Sequence, residues 1–301
     1  MRTIIALFSD YTFFIVASGC AFFGVVSGAL GCFLVLRRQS LLGDGISHAA
    51  LPGVTLICLL TGRSESEFLQ FGAFVSGFAA SYIVLGLVKH SRAKPDRALA
   101  LTTSVFSGLG LVLLTLLQKL PGANHAVIKT FIYGQASALQ RHDVIVISGG
   151  GAVVLFIVFL FGKELKLLAF DAEFTQSIGL KTGHLNLLLQ LLTVSTIIIG
   201  LQAVGALLMS AMLISPATAA RQWTDRFSVM VLLASVFGAV SGITGVLFSS
   251  FASGIPTGPV IVTVSCVITV FSLLFAPSRG ILVRIIKRRS HSRRAFDERG
   301  L

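Results

Sequence analysis

In the stretch RRQSLLGDGISHAALPG, residues 37–53, an acid and an imidazole stand four residues apart. They are Asp44 and His48, and on a helix this spacing stacks both side chains on one face, a turn apart. A carboxylate oxygen and an imidazole nitrogen suit borderline divalent ions such as Zn2+, Mn2+ or Fe2+, and the lack of a thiolate or thioether partner argues against Cu(I). Two donors do not fill a shell of about four to six. The rest can come from a second copy of the same helix across a dimer axis, from water, or from Gln202 or Ser210. The same residues admit a plainer reading, in which Asp44 caps a helix beginning at Gly45 and His48 hydrogen-bonds a neighbouring helix.

The surroundings favour the ligand reading. Gly43, Gly45, Ser47, Ala49, Ala50 and Gly53 keep the helix surface thin, and Pro52 removes a backbone donor, freeing a carbonyl. Ionisable groups inside a membrane span are costly and commonly functional. Arg37 and Arg38 mark a water interface. Counting about 1.5 Å per residue from there places Asp44 roughly 10 Å and His48 roughly 16 Å deep, near the middle of a hydrocarbon layer about 30 Å thick.

That the chain lives in a membrane follows from its composition. Of 301 residues, 54% are hydrophobic and 12% charged, against about 25% charged in a soluble domain. Mean hydropathy is +0.90. Apolar runs at 11–36, 42–61, 68–88, 98–117, 143–161, 185–220, 227–250 and 256–277 predict an all-α, polytopic bundle of about eight to nine spans. Residues 1–278 form one transmembrane domain and 279–301 a basic tail. The opening residues fit a first span better than a cleaved leader, because the apolar run continues unbroken to Leu36. Cys20, Cys32, Cys58 and Cys266 each stand alone in an apolar segment and read as small buried hydrophobes.

Nineteen of the 24 Lys and Arg fall in the connections 37–38, 89–97, 163–181, 221–226 and 279–299. This asymmetry makes that side cytoplasmic and the C-terminus internal. The net charge of +12 is therefore a membrane signature and not a nucleic-acid one, and the tail is expected to lie on anionic head groups.

Run 185–220 carries no formal charge, yet both of its flanks belong inside. It predicts a full span followed by a shorter, broken return, with breaks at Gly205 and Pro216. Residues 120–142 read as an external loop with a short surface helix. Two similar words, FGVVSGALG from Phe23 and FGAVSGITG from Phe237, lie on spans of opposite direction and predict close helix packing. Among the other histidines, His125 falls in an external loop. His142 and Asp143 are expected to cap the fifth span, and His90, His184 and His291 to face the cytoplasm. The amphipathic stretch 163–184 is either an ordinary connector or a docking helix for a soluble partner. No G-x-x-x-x-G-K-[ST] motif occurs, so any ATP hydrolysis belongs to another polypeptide.

RRQSLLGDGISHAALPGV, FIYGQASALQRHDV, FDAEFTQSIGL and LQAVGALLMSAMLISPATAAR, in this order, resemble the successive signatures of the permease subunits of zinc/manganese-type ABC importers, over roughly residues 11–277. The resemblance implies a non-catalytic transport subunit of a bacterial cell membrane. It further implies a homo- or heterodimer of permeases, cytoplasmic ATPase subunits and an extracytoplasmic metal-binding protein. No permanent cofactor is implied; the divalent metal is the cargo. By the same likeness Asp44 and His48 match the family's intramembrane metal pair. FDAEFTQSIGL matches its coupling helix, with Phe170, Asp171, Glu173 and Gly179 at the corresponding positions. One departure is Gly254, where many relatives carry an acid before Pro-x-Gly. Two rival readings remain: a gradient-driven transporter or channel with Asp44 and His48 as a proton relay, and an ABC permease whose cargo is a siderophore or cobalamin.

Overall fold

The computed structural model describes residues 11–62, 66–92, 94–119, 139–251, 256–277 and 279–283. The expectations for 120–138, for Gly254, His125 and His291, and for most of the tail lie outside the described residues. Eleven helices follow one another within them: α1 (Tyr11–Leu36), α2 (Leu42–Thr61), α3 (Ser66–His90), α4 (Pro95–Gln118), α5 (Arg141–Leu160), α6 (Gly162–Phe170), α7 (Ala172–Ser177), α8 (Thr182–Val204), α9 (Ala206–Trp223), α10 (Phe227–Phe251) and α11 (Thr257–Phe275). Eight of them are long and apolar enough to cross a membrane. The protein is an all-α, multi-pass membrane bundle.

Helices are forced here because backbone N–H and C=O groups in hydrocarbon must be satisfied within the segment. Polar side chains within the spans follow the same rule. Ser47, Thr55, Thr193 and Thr196 each turn a hydroxyl back onto the carbonyl four residues earlier, at 2.7–2.9 Å.

The most extensive helix pairing joins α1 to α10. Gly24 lies against Gly238, Gly28 against the Ala234 carbonyl, and Gly242 against the Cys20 carbonyl. Residue numbers rise on one helix as they fall on the other, so the two similar words meet face to face and antiparallel. A methyl at Gly24 or Gly238 would collide with the opposite backbone; glycine is what permits the approach. Gly53 of α2 and Gly72 of α3 make a second seam of the same kind.

Run 185–220 is indeed two helices, broken at Gly205 with φ 89° and ψ 157°. This conformation is essentially restricted to glycine. The second expected break is absent: Pro216 sits inside α9. Pro216 withholds only one donor, from the Met212 carbonyl, and the neighbouring Ser215 carbonyl is engaged from outside by Thr269 Oγ1 at 3.0 Å. Gly205 alone makes the turn. Of the cysteines, Cys20, Cys32 and Cys58 are buried as expected, whereas Cys266 is exposed, because it falls on the outward side of α11.

The connections rich in Lys and Arg gather at one end of the bundle. Arg37 Nη2 donates to Asn186 Oδ1 at 2.5 Å, Arg279 pairs with Asp225, and the Arg279 N–H donates to the Gln222 carbonyl. At the opposite end His142 pairs with Glu67 at 3.4 Å, between the starts of α3 and α5. Asp143 caps α5 by accepting from the Gln140 N–H at 2.9 Å.

Candidate functional site

Residues 37–41 turn the chain back after α1, with Arg38 in the left-handed region at φ 57°. The next helix therefore begins at Leu42, not at Arg37. Asp44 is its third residue and His48 its seventh, roughly 3 and 9 Å along an axis about 30 Å long. Both residues therefore lie in the half of α2 nearer Arg37. The capping alternative fails on the same ground, since Leu41 holds the N-cap position and Asp44 lies inside the first turn. A carboxylate there complements the positive end of the helix dipole.

His48 Nε2 lies 3.7 Å from Asp44 Oδ1. That is too long for a hydrogen bond. It is close to the separation of about 3.4 Å expected for two donors each about 2.1 Å from one tetrahedral ion. The side chains are 32% (His48) and 48% (Asp44) exposed on the single chain, while Gly43, Gly45, Ser47, Ala49 and Ala50 around them are buried. The small residues seat α2 against its neighbours. Gly45 faces Leu99 and Thr103 of α4, and Gly43 faces Ser210 and Leu213 of α9. Ser76 of α3 donates to the Ala49 carbonyl at 2.6 Å, and Pro52 leaves the His48 carbonyl without its intrahelical donor. Among the described residues no third His, Cys, Asp or Glu joins the pair. Ser210 stands beside the helix of the pair, whereas the Gln202 side chain lies outside the described residues.

The segment 162–180 is two short helices with a corner at Asp171, which is extended at φ −149° and ψ 101°. Asp171 Oδ1 accepts the Phe174 N–H at 2.9 Å, the N-cap of α7. At the other end Gly179 has φ 87°. The Gly179 N–H bonds to the Gln176 carbonyl and the Leu180 N–H to the Thr175 carbonyl, the paired bonds of a Schellman stop. Asp171 and Gly179 thus shape the segment. Phe170, Glu173, Phe174 and Ile178 are exposed on it. The sequence reading missed Phe227, which packs edge-on against both Phe33 and Phe170 at centroid distances of 5.0 and 6.2 Å. Lys166 Nζ lies 5.9 Å over the same ring. Nothing in its local pattern distinguishes Phe227 from an ordinary first residue of a span.

The fold is a multi-pass membrane bundle with an acid–imidazole pair on a partly exposed helix face and an exposed two-helix segment at one end. Residues 9–276 match the ABC 3 transport family, and the chain belongs to that family. It is 42% identical over 289 residues to the zinc transport system membrane protein TroC of Treponema pallidum, covering 96% of this chain and 97% of that one. It is 39% identical over 286 residues to the manganese transport system membrane protein MntC of Bacillus subtilis, covering 95% of this chain and 66% of that one. Among solved structures it is similar to PsaBC from Streptococcus pneumoniae in complex with Fab. The TM-score is 0.81 at 30% identity, over 96% of this chain and 99% of that chain.

Proposed function

We propose that this chain is the membrane-spanning permease subunit of an ATP-driven importer of divalent transition-metal ions. Manganese and zinc are the cargos named for its relatives, and Fe2+ fits the same donors. The observation that carries the reading is the Asp44–His48 pair, with donor atoms 3.7 Å apart on a half-exposed helix face. In this reading a second permease copy, or a related chain, apposes its own face and completes the shell around the ion, together with water. An extracytoplasmic binding protein delivers the metal. The corner at 170–180 docks on a cytoplasmic ATPase, presenting Phe170 and Glu173 while Asp171 and Gly179 hold its shape. Nucleotide-driven movement of that corner opens the pair alternately to the two sides.

The test is uptake of Mn2+, Zn2+ and Fe2+, each in competition with the others, in a strain lacking the gene and complemented with wild type, Asp44→Asn or His48→Ala. Both variants should abolish uptake while still co-purifying with the ATPase. Wild-type rates in either variant would remove the pair from the mechanism. Metal movement by the purified chain in liposomes without any ATPase would favour the gradient-driven alternative.

A further inference from the structure

At the end of the bundle rich in Lys and Arg, a cavity of about 210 Å³ opens between the end of α1 and the adjoining ends of α2, α3, α4 and α8. It is distinct from the outward face that carries Asp44 and His48. Its wall includes Arg37, Gln39, Asp96, Asn186 and Gln190, with Val88 among the apolar remainder.

Two of these polar side chains face the cavity with few partners among the described residues. The guanidinium of Arg37 is only partly exposed, and among the described residues its one hydrogen-bond partner is a neutral amide, Asn186. The ion pairs among the described residues join His48 to Asp44, His142 to Glu67 and Arg279 to Asp225. Arg37 belongs to none of them, although Asp96 lines the same space. Burial lowers the pKa of Arg37 from its ordinary value, as expected for a charge removed from water without a counter-ion. Gln190 is 7% exposed. Its amide makes no hydrogen bond among the described residues and borders the cavity, open to whatever occupies that space. The first turns of α2 and α4 also border the cavity, adding the positive ends of two helix dipoles.

We propose that this cavity binds a phosphate group, held by the Arg37 fork with the amides of Asn186, Gln190 and Gln39. Guanidinium–phosphate pairing is planar and bidentate. Basic pockets between membrane helices at the cytoplasmic boundary take phospholipid head groups by this chemistry. A free phosphate presents the same oxygens. Asp96 opposes the anion from the mouth and sets an upper limit on its charge.

The test titrates the purified full-length chain in neutral detergent with three probes: short-chain phosphatidylglycerol, short-chain phosphatidylcholine and inorganic phosphate. Unfolding temperature and bound mass by native mass spectrometry are the readouts. A saturable rise in unfolding temperature with phosphatidylglycerol or with phosphate is expected, weakened at least ten-fold in Arg37→Gln and in the cavity-filling Val88→Trp. Arg38→Gln, which alters an exposed neighbour that does not line the cavity, should bind as wild type does. Binding of phosphatidylglycerol with no response to phosphate identifies a lipid headgroup, and response to phosphate alone identifies a free anion; either supports the site. No saturable binding of any probe overturns it. So does equal binding by folded Arg37→Gln and Val88→Trp, or an equal loss in Arg38→Gln, which would reduce the effect to surface charge.

Discussion

The ring of Phe170 stands edge-on to the ring of Phe227, with centroids 6.2 Å apart. Phe227 in turn meets Phe33 of α1 at 5.0 Å. A single side chain at the start of α10 therefore joins the exposed corner to the helix that ends at Leu36. Edge-to-face pairs contribute about 0.5–1.5 kcal/mol each beyond their area. Phe227→Ala should lower transport per ATP hydrolysed in the reconstituted complex by several-fold, with ATPase binding retained. An unchanged ratio would show that the corner acts through other contacts.

Removing a donor from the acid–imidazole pair should act on the cargo and leave the fold intact. Changes to groups that merely orient a metal ligand already cost about 10–100-fold in affinity. Asp44→Asn and His48→Ala should each weaken metal binding by no less, measured by isothermal titration on the assembled transporter. Their unfolding temperatures should stay close to wild type, because both side chains are only partly buried.

Along the α1–α10 seam even a methyl is too much. Gly24→Ala and Gly238→Ala each drive a Cβ into the facing backbone, and overpacking costs typically about 1–3 kcal/mol. Both should lower the unfolding temperature measurably. Gly86→Ala, whose added methyl meets nothing, is the matched control and should be neutral.

Asp171 and Gly179 are expected to behave as shape residues. Loss of an N-cap costs about 1 kcal/mol, and a β-carbon in the left-handed region costs about 1–2 kcal/mol. Asp171→Ala and Gly179→Ala should weaken co-purification with the ATPase. Asp171→Ser, which retains a capping oxygen, should restore it. Failure of the serine variant to rescue would assign Asp171 a direct contact with the partner.

Gly205 supports a fifth expectation. With φ 89° and ψ 157°, replacement by alanine forces strain of about 1–3 kcal/mol. Gly205→Ala should reduce both stability and uptake, whereas Pro216→Ala, within an unbroken helix, should leave the break in place.

These contrasts separate what a linear pattern discloses from what it conceals. Apolar run lengths, the charge-free stretch 185–220 and the i, i+4 spacing of Asp44 and His48 are local, and the structure contains the corresponding helices and places the pair on one of their faces. Pro216 misled because a proline removes a single i−4 hydrogen bond, and α9 carries on through it from Ala206 to Trp223. The start of α2 at Leu42 was hidden because the turn at 37–41 has no strong sequence mark; it relies on Arg38 adopting a conformation more usual for glycine. The meetings of Arg37 with Asn186 and of Phe170 with Phe227 are products of tertiary packing between residues 149 and 57 positions apart, respectively. No spacing rule foretells them.

The glycine seams bear on how such a bundle is able to change shape. Where two backbones touch with no side chain between them, sliding one past the other by even a fraction of a turn brings a β-carbon against a carbonyl. The pairs α1/α10 and α2/α3 should then travel as stiff slabs. Flexing would be left to the hinge at Gly205 and to the side-chain-cushioned boundaries between slabs.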